Sequence, residues 1–197
     1  MPTVPIRDAQ HGEELFAALS EQLAARGESY TIVVIGGSAL IALGFVSRPT
    51  RDVDVVALVR DGELISAEPL PDGLLAAVEL VADDFGLPER WLNSGPTALL
   101  DFGLPPKLLA RGERRDYGPA LEVIFASRVD QIHFKLYAVV DQDAGRHLND
   151  LQALSPTEAE LLEAAEWSET HDNSAGYREI LDRVLAHFGV IREPADN

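Results

Sequence analysis

The chain has 197 residues, 46% of them hydrophobic, which fits one domain or one domain with a helical appendage. It has no cysteine, which excludes a disulfide scaffold, a thiolate metal site and a cysteine nucleophile. The 33 acidic residues outnumber the 16 basic ones, and a net charge of −17 argues against nonspecific nucleic-acid binding. The N-terminus lacks the apolar region of a signal peptide, and no apolar run approaches the length of a membrane span. We therefore expect a cytoplasmic protein without a membrane segment.

The first part of the chain alternates between helical and strand patterns. Apolar residues at helical spacing predict helices, and short β-branched runs predict buried strands. The predicted elements, in chain order, are a helix near 12–26, a strand at 30–35, a short helix at 38–43, a strand at 52–59, a helix at 74–85 and a strand at 121–126. Residues 86–119 are rich in Pro and Gly, and they are predicted to form short helical turns and loops, as in a lid.

The rest of the chain is predicted to be helical. Ser127 is suited to cap a helix that runs to about 140, and a second helix covers 146–154. Pro156 is predicted to be the first residue of a helix that ends near 170, and a last helix covers about 175–188. This order favours an α+β fold over a doubly wound sheet. We expect an α/β core at 1–126 and a helical region at 127–197 packed on it.

The segment from Gly36 to Val56 carries the clearest chemical signal, GGSALIALGFVSRPTRDVDVV. A predicted strand ends in Gly36-Gly37-Ser38, and a helix begins at once. Paired glycines let the backbone approach a ligand closely. The N–H groups of a helix start favour an anion, and Ser38 adds a hydroxyl. The segment therefore predicts a phosphate-binding turn.

Two aspartates follow this turn at alternating positions of the next strand. Side chains two apart on a strand share one face, so Asp52 and Asp54 are predicted to point together. Two carboxylates beside a phosphate-binding turn suit a hard cation such as Mg²⁺. Neighbouring like charges repel unless a cation or an arginine offsets them, and Arg48 and Arg51 are the alternative counter-charges.

The combination of GGSAL and RPTRDVDVV resembles the Gly-Gly-Ser and Arg-x-Thr-x-Asp-x-Asp pattern of minimal nucleotidyltransferases. The AbiEii and MenT type, the toxins of toxin–antitoxin pairs, shows this pattern. The later stretch FASRVDQIHFKLYAVVDQDAGRHLNDLQAL resembles their second block, in which a Lys on one helix precedes an Asp on the next. The resemblance covers roughly residues 30–155. It implies a nucleotidyltransferase (polymerase-beta-like) fold with a small mixed sheet and a helical C-terminal half.

The resemblance also implies an activity, which is transfer of a nucleoside monophosphate from a nucleoside triphosphate with Mg²⁺. The implied acceptor is a tRNA 3′ end, with protein hydroxyls as the other possibility, and the implied partner is a small antitoxin protein. Asp52 and Asp54 match the metal-binding carboxylates, and Asp150 matches a later functional aspartate. The residues expected to bind the nucleotide are Gly36, Gly37, Ser38, Arg51 and Lys135.

Lys135 and Asp150 each have a second interpretation. Lys135 lies on an otherwise apolar helix, so its side chain must reach the solvent at a rim or meet an anion. Asp150 lies four residues after Arg146, which is also the spacing of an exposed helix ion pair. A third carboxylate, common in polymerase-type transferases, is either Glu122 or Asp150.

Two other features are candidates for contacts with partners. The basic residues Lys107, Arg111, Arg114 and Arg115 form either a solvated loop or the contact surface for an acceptor RNA. Thr50, two residues before Asp52, is either a turn threonine or a regulatory site that a partner modifies.

A second function fits the same pattern. The chain could have kept the fold without turnover and act as a binding module, with its acidic C-terminal helices as a docking surface. The intact Asp52–Asp54 pair speaks against this alternative.

Overall fold

The computed structural model describes residues 4–142 and 145–192. The chain divides into two compact units, Met1–Ser127 and Arg128–Asn197. The first unit contains a β-sheet with helices, and the described part of the second contains four helices.

The first unit is built on one small mixed sheet. The elements are α1 (Ala9–Ala25), β1 (Tyr30–Ile35), α2 (Gly36–Ala42), β2 (Val53–Arg60), β3 (Glu63–Ile65), α3 (Asp72–Phe85), β4 (Leu92–Asn93), a 3₁₀ helix (Gly95–Phe102), α4 (Leu108–Arg111), β5 (Glu113–Asp116) and β6 (Leu121–Phe125). The strand order is β3-β2-β1-β6-β5, and β4 pairs with β2 outside this order. β1 runs antiparallel to β2 and parallel to β6. This mixture of helices and a small mixed sheet is compatible with a nucleotidyltransferase fold.

The core of this unit lies between one face of the sheet and helices α1 and α3. In α1, Leu15, Leu19 and Leu23 recur every four residues and are fully buried. This spacing places them on one side of the helix, and their burial contributes about 1.5–3 kcal/mol each. Asp8 caps α1, because its side chain accepts a hydrogen bond from the His11 N–H at 2.8 Å.

The central strand β1 determines where β2 begins beside it. Its last four residues are buried, as expected for a β-branched strand with a neighbour on each side. The register between β1 and β2 shifts between Val33 and Val34, so that Asp54 lies opposite Ile35. An irregularity of this kind redirects side chains at the end of a strand. The start of β2 therefore lies beside the end of β1.

The second unit is organised around α5 (Arg128–Asp141). This helix packs against α6 (Gly145–Ala153), α7 (Glu158–Glu169) and α8 (Ala175–His187). Trp167 of α7 makes edge contacts with Phe134 and Tyr137 of α5, at ring-centroid distances of 5.6 and 6.1 Å. Among the described residues of both units, none of the helices combines the length and the apolar character that a bilayer crossing requires.

Several predicted boundaries differ from the structure. The short helix begins at Gly36 rather than Ser38, and β2 begins at Val53, one residue after Asp52. The loop prediction for 86–119 missed the strands β4 and β5. β5 has the sequence ERRD, which carries no hydrophobic signal because the strand lies at the edge of the sheet.

The prediction that Pro156 begins a helix is wrong. α7 begins at Glu158, and Thr157 is its N-cap. The Thr157 hydroxyl accepts a hydrogen bond from the Glu160 N–H, and the Glu160 carboxylate accepts one from the Thr157 N–H at 2.8 Å. This reciprocal capping gives the N–H groups of Thr157 and Glu160 hydrogen-bond acceptors, which explains why the helix begins after Thr157 and not at Pro156.

Arg128, at the start of α5, joins that helix to α7. Its guanidinium donates to both carboxylate oxygens of Glu160, at 2.6 and 3.0 Å. It also donates to the carbonyl oxygens of Leu154 and Ser155, both at 2.8 Å. The hydrogen bonds from Arg128 lower the pKa of Glu160 from its usual 4.5 to about 2.

This lowered pKa makes the free energy of unfolding depend on pH. The ionised Glu160 stabilises the folded chain above pH 4.5, and this contribution disappears as the pH falls from 4.5 towards 2. We expect Glu160→Gln to lose about 1–2 kcal/mol at pH 7 and to show a weaker loss of stability below pH 4.5. Urea unfolding at a series of pH values measures both effects.

Glu158→Gln is the control, because Glu158 is exposed in the first turn of the same helix. It should keep the acid-dependent loss of the unmodified chain. An unchanged pH dependence in Glu160→Gln would contradict the assignment.

Candidate active site

Two glycines stand where β1 ends and α2 begins, and the side chains of Asp54 and Thr50 lie against them. Gly36 has a φ of +75°, in the region that disfavours a side chain. A Cβ on Gly36 would lie 2.5 Å from Oδ2 of Asp54, and a Cβ on Gly37 would lie 2.8 Å from Oγ1 of Thr50. Both glycines, which form the Gly36–Gly37 turn, are therefore required by packing.

Asp54 lies at the end of β2 that adjoins the Gly36–Gly37 turn. It pairs with Ile35 across the sheet, and its side chain is half-buried. Its Oδ1 accepts a hydrogen bond from Nδ2 of Asn93 at 3.2 Å. One carboxylate oxygen thus contacts an amide, while the other lies beside Gly36.

Asp52 reaches the same turn through Thr50. The Thr50 hydroxyl donates a hydrogen bond of 3.4 Å to Oδ1 of Asp52 and packs over Gly37. Thr50 is fixed by two backbone hydrogen bonds to Ile6, at 2.8 and 2.9 Å. Asp52 and Asp54 therefore both lie at the Gly36–Gly37 turn, although Asp52 precedes the strand.

The burial of Thr50 bears on its predicted regulatory role. The side chain is 4% exposed, and its hydroxyl lies against Gly37. A group attached to this oxygen would occupy space that the turn now fills, so the backbone pairing with Ile6 would have to open first. Modification at Thr50 stays a prediction under that condition.

Ser38 is buried in a different way from the two glycines. Its Oγ has no hydrogen-bond partner and no exposed surface. Ser38 lines a cavity of about 10 Å³ together with Ile6, Asp8 and Phe16. A cavity of this size holds about one water molecule. Contact between Ser38 and a triphosphate stays a prediction that requires the hydroxyl to become accessible.

The two arginines near the aspartates differ in position. Arg51 is exposed, whereas Arg48 is half-buried. Nη1 of Arg48 donates to the carbonyl oxygen of Pro49 at 3.3 Å and lies 3.7 Å from where a Cβ on Gly37 would be. Arg48 thus lies at the same turn as the carboxylates, where it adds positive charge for an anion or for the carboxylates themselves.

Asn93 is a site residue that no sequence pattern identified. It lies in β4, a strand of two residues, in register with Asp54. In the sequence it stands in a Pro- and Gly-rich segment, where an Asn before Ser-Gly-Pro indicates only a turn. Only the pairing of β4 with β2 brings it to the carboxylate.

Glu122 does not lie beside Asp54, so it does not provide a third carboxylate there. Glu122 pairs with Thr31, four residues before Ile35, so it lies about 13 Å away along the sheet. Its two carboxylate oxygens accept hydrogen bonds from Arg114, both at 3.0 Å. This carboxylate belongs to an ion pair near the other end of the strands.

In the second unit, Lys135 and Asp150 form a buried ion pair. Nζ of Lys135 lies 2.8 Å from Oδ2 of Asp150, and the two residues are 5% and 1% exposed. The interpretation of Asp150 as an exposed partner of Arg146 is therefore wrong. The structure brings together the lysine and the aspartate that the resemblance selected, and their roles in nucleotide binding and catalysis stay predictions.

The predicted basic cluster is partly balanced by acidic neighbours. Arg115 donates to Glu13 at 2.7 Å and to Glu113 at 2.6 Å, and its guanidinium lies over the ring of Phe125. Arg114 is paired with Glu122. These arginines lie in the edge strand β5, so the alternative of a solvated loop is wrong for them.

The remaining two basic residues of the cluster lie before β5. Lys107 is exposed and Arg111 is half-buried, at opposite ends of the short helix α4. RNA binding by the four residues stays a prediction, and Lys107 provides the most accessible charge for it.

The Asp52–Asp54 pair fits a magnesium ion by the chemistry of its donors. Carboxylate oxygens are the ligands that Mg²⁺ prefers, and this ion usually binds one or two carboxylates while water and phosphate oxygens complete its shell. Within residues 4–142 and 145–192, no cluster of three or more acidic or histidine side chains could hold a metal. Water would supply the other ligands of an ion at this pair, and phosphate oxygens would replace some of that water when a triphosphate binds.

A comparison with protein families points to a general class of reaction. The model of a family described as "Nucleotidyltransferase of unknown function (DUF6036)" matches residues 13–78. This range contains the Gly36–Gly37 turn, Thr50 and both aspartates, but it ends before Asn93 and the second unit. No curated protein and no solved structure matches the chain. The chain is thus similar to nucleotidyltransferases over the segment that carries the candidate site.

The packing of Asp54 against Gly36 can be tested with alanine. Gly44→Ala is the matched control, because Gly44 has a φ of +78° and no atom within 4 Å of the added Cβ. We expect Gly44→Ala to lower the free energy of unfolding by about 1–2 kcal/mol through backbone strain alone. Gly36→Ala should lower it by about 1–3 kcal/mol more, because it also displaces Asp54. Urea unfolding measures both.

The double variant identifies the displaced group. In an Asp54→Ala background the added methyl has room, so Gly36→Ala should cost no more than Gly44→Ala. If Gly36→Ala lowered the free energy of unfolding equally with and without the Asp54 carboxylate, the added methyl group would not be displacing that carboxylate.

The buried ion pair predicts a strong effect on stability. Lys135→Met should lower the free energy of unfolding by about 3–5 kcal/mol, because it leaves the Asp150 carboxylate buried without its cation. Lys135→Met combined with Asp150→Leu should recover most of this loss. Arg183→Met, in an exposed pair with Glu179, should change stability by less than about 1 kcal/mol. Wild-type stability in Lys135→Met alone would contradict the pairing.

Proposed function

We propose that the protein is a Mg²⁺-dependent nucleotidyltransferase that moves a nucleoside monophosphate from a nucleoside triphosphate to an acceptor hydroxyl. The observation that carries the proposal is the position of Asp52 and Asp54 at a turn without side chains. Carboxylates provide ligands for a cation, and backbone free of side chains lets phosphate approach closely. The family match over residues 13–78 supports the same class of reaction.

The reaction requires the acceptor hydroxyl to lose its proton as its oxygen bonds to the α-phosphorus, while the bond to pyrophosphate breaks. Bound Mg²⁺ would supply positive charge for the triphosphate and for the acceptor oxygen. Asp52 and Asp54 would hold the ion. The Gly36–Gly37 turn and Arg51 would contact the phosphates, and Ser38 would do so once accessible. Catalysis would then rest on positioning and on electrostatic stabilisation.

The proposed roles of Lys135 and Asp150 come from the resemblance to the AbiEii and MenT type. Lys135 is the proposed triphosphate-binding lysine, and Asp150 the later functional aspartate. Because the two side chains are already paired at 2.8 Å, a phosphate would have to compete with Asp150 for the ammonium group. The buried pair would otherwise keep the lysine charged and in place.

The same resemblance supports a tRNA 3′ end as the acceptor and a role as a toxin held inactive by a small antitoxin protein. The cluster Lys107, Arg111, Arg114 and Arg115 is the proposed RNA contact. The pairing of Arg114 and Arg115 with carboxylates leaves less positive charge for RNA than the sequence indicates. A protein hydroxyl is therefore the alternative acceptor.

A second candidate function is a binding module without turnover. Two observations favour it, which are the buried pairing of Lys135 and the position of Glu122 away from Asp54. Such a module would bind nucleotide and act through a protein partner, for which the acidic C-terminal helices offer a surface. It would bind a triphosphate with Mg²⁺ but release no pyrophosphate.

Asparagine variants of the two aspartates test the proposal. Losing a group that only orients a metal ligand commonly lowers metal affinity or activity about 10–100-fold. Losing the charge of a ligand itself should have a larger effect. We therefore expect Asp52→Asn and Asp54→Asn each to lower pyrophosphate release more than about 100-fold. The metal-free variants should unfold no earlier than the unmodified chain, because a repulsion between like charges is removed. Asp84→Asn, at an exposed position of α3, should keep full activity.

The assay uses each of the four α-labelled nucleoside triphosphates with total tRNA or with a protein extract as the acceptor. Label in tRNA or in protein identifies the acceptor, and induced expression in cells shows whether growth arrest depends on Asp54. Binding without pyrophosphate release would favour the module. Near-normal turnover in either asparagine variant would disprove the proposed metal site.

A further inference from the structure

We propose that Asn93 is a positioning residue that fixes the carboxylate of Asp54 in the orientation needed to hold a divalent cation. The inference rests on the proposed function, because it concerns the same metal site. Asn93 lies outside the segment matched by the nucleotidyltransferase family.

The amide of Asn93 is oriented by its own contacts. Its Oδ1 accepts a hydrogen bond from the Gly95 N–H at 2.9 Å, which identifies the oxygen end of the amide. The nitrogen end therefore faces β2, where it donates to Oδ1 of Asp54 at 3.2 Å and lies 3.4 Å from the carbonyl oxygen of Val53. The amide thus presents a donor, rather than an acceptor, to the carboxylate.

The strand that carries Asn93 is anchored in the core. Trp91 is fully buried, and its indole N–H donates to the carbonyl oxygen of Val78 at 3.0 Å. Leu92 is 2% exposed, and the carbonyl oxygen of Trp91 accepts a hydrogen bond from the Val53 N–H at 2.6 Å. A strand of two residues would have little stability alone, and these neighbours hold it in register with Asp54.

The contact distinguishes the two carboxylate oxygens of Asp54. Oδ1 accepts a hydrogen bond from Asn93, and Oδ2 lies 2.5 Å from the position that a Cβ on Gly36 would take. A hydrogen bond to one oxygen of a metal-binding carboxylate orients the other, and such outer partners commonly matter 10–100-fold for affinity. An amide also donates without adding positive charge, so it does not oppose a cation as a lysine would.

Titration with Mn²⁺ alone tests the inference without requiring turnover. Electron paramagnetic resonance measures the free ion as it is added to the complete chain. Asn93→Ala should weaken Mn²⁺ binding about 10–100-fold, because the Asp54 carboxylate is no longer oriented. Asn173→Ala is the matched control, since Asn173 is exposed in the second unit, and its affinity should equal that of the unmodified chain.

Asn93→Asp provides a second variant of nearly the same size, in case Asn93→Ala does not fold. It keeps an acceptor for the Gly95 N–H but replaces the donor to Asp54 with a repelling like charge, so the Asp54 carboxylate loses its orientation. Mn²⁺ binding should weaken about 10–100-fold, as in Asn93→Ala. Asn173→Asp should leave the Mn²⁺ affinity unchanged.

The outcomes separate this inference from the proposed function. If Asp54→Asn abolishes Mn²⁺ binding while Asn93→Ala retains it, the metal site stands and the role of Asn93 is wrong. Tighter Mn²⁺ binding in Asn93→Asp would also overturn it, because the residue at this position would then act as a metal ligand. Mn²⁺ binding that is absent, or insensitive to Asp54→Asn, would overturn both.

Discussion

The contact of Asp54 and Thr50 with a turn that has no side chains is the constraint on which the candidate site depends. The positive φ of Gly36 lets α2 begin directly after β1, and the absence of a Cβ leaves room for the Asp54 carboxylate. The register shift between β1 and β2 places Asp54 opposite Ile35, the last residue of β1. A side chain on either glycine would displace the groups that give the turn its chemistry.

The carboxylates of this acidic chain are used in two ways. Glu13, Glu122 and Glu160 accept hydrogen bonds from arginines, which stabilises strand and helix contacts. Asp52 and Asp54 accept hydrogen bonds from a hydroxyl and an amide, which orient them without adding charge. Two carboxylates at one turn repel each other, and a divalent cation would remove that repulsion.

The second unit places its polar groups inside a helix bundle. The five polar residues Asp130, Gln131, His133, Lys135 and Asp150 are each at most 5% exposed, although four of them belong to one helix, α5. Buried polar groups of this kind need partners, and the pair between Lys135 and Asp150 is one such partnership. A buried ion pair is weak evidence for stability, because its desolvation opposes its attraction.

The strongly patterned elements and the chemical character of the site could be predicted from the amino-acid sequence alone. The β-branched run of β1 and the four-residue spacing of α1 are local signals, and the structure confirms both elements. The glycine pair followed by Asp52 and Asp54 resembles the nucleotidyltransferase pattern, and the family match over residues 13–78 supports this class.

The residues distant in sequence that contact the turn and its two aspartates could be identified only from the tertiary structure. Asn93 reaches Asp54 through a parallel pairing of two residues, and Glu122 is placed near the other end of the sheet by the β1–β6 register. Arg115 lies in an edge strand, where its pairing with Glu13 joins residues 102 positions apart. Such contacts depend on register and on chain reversal, neither of which leaves a periodic pattern in the sequence, whereas the helices and the central strand do.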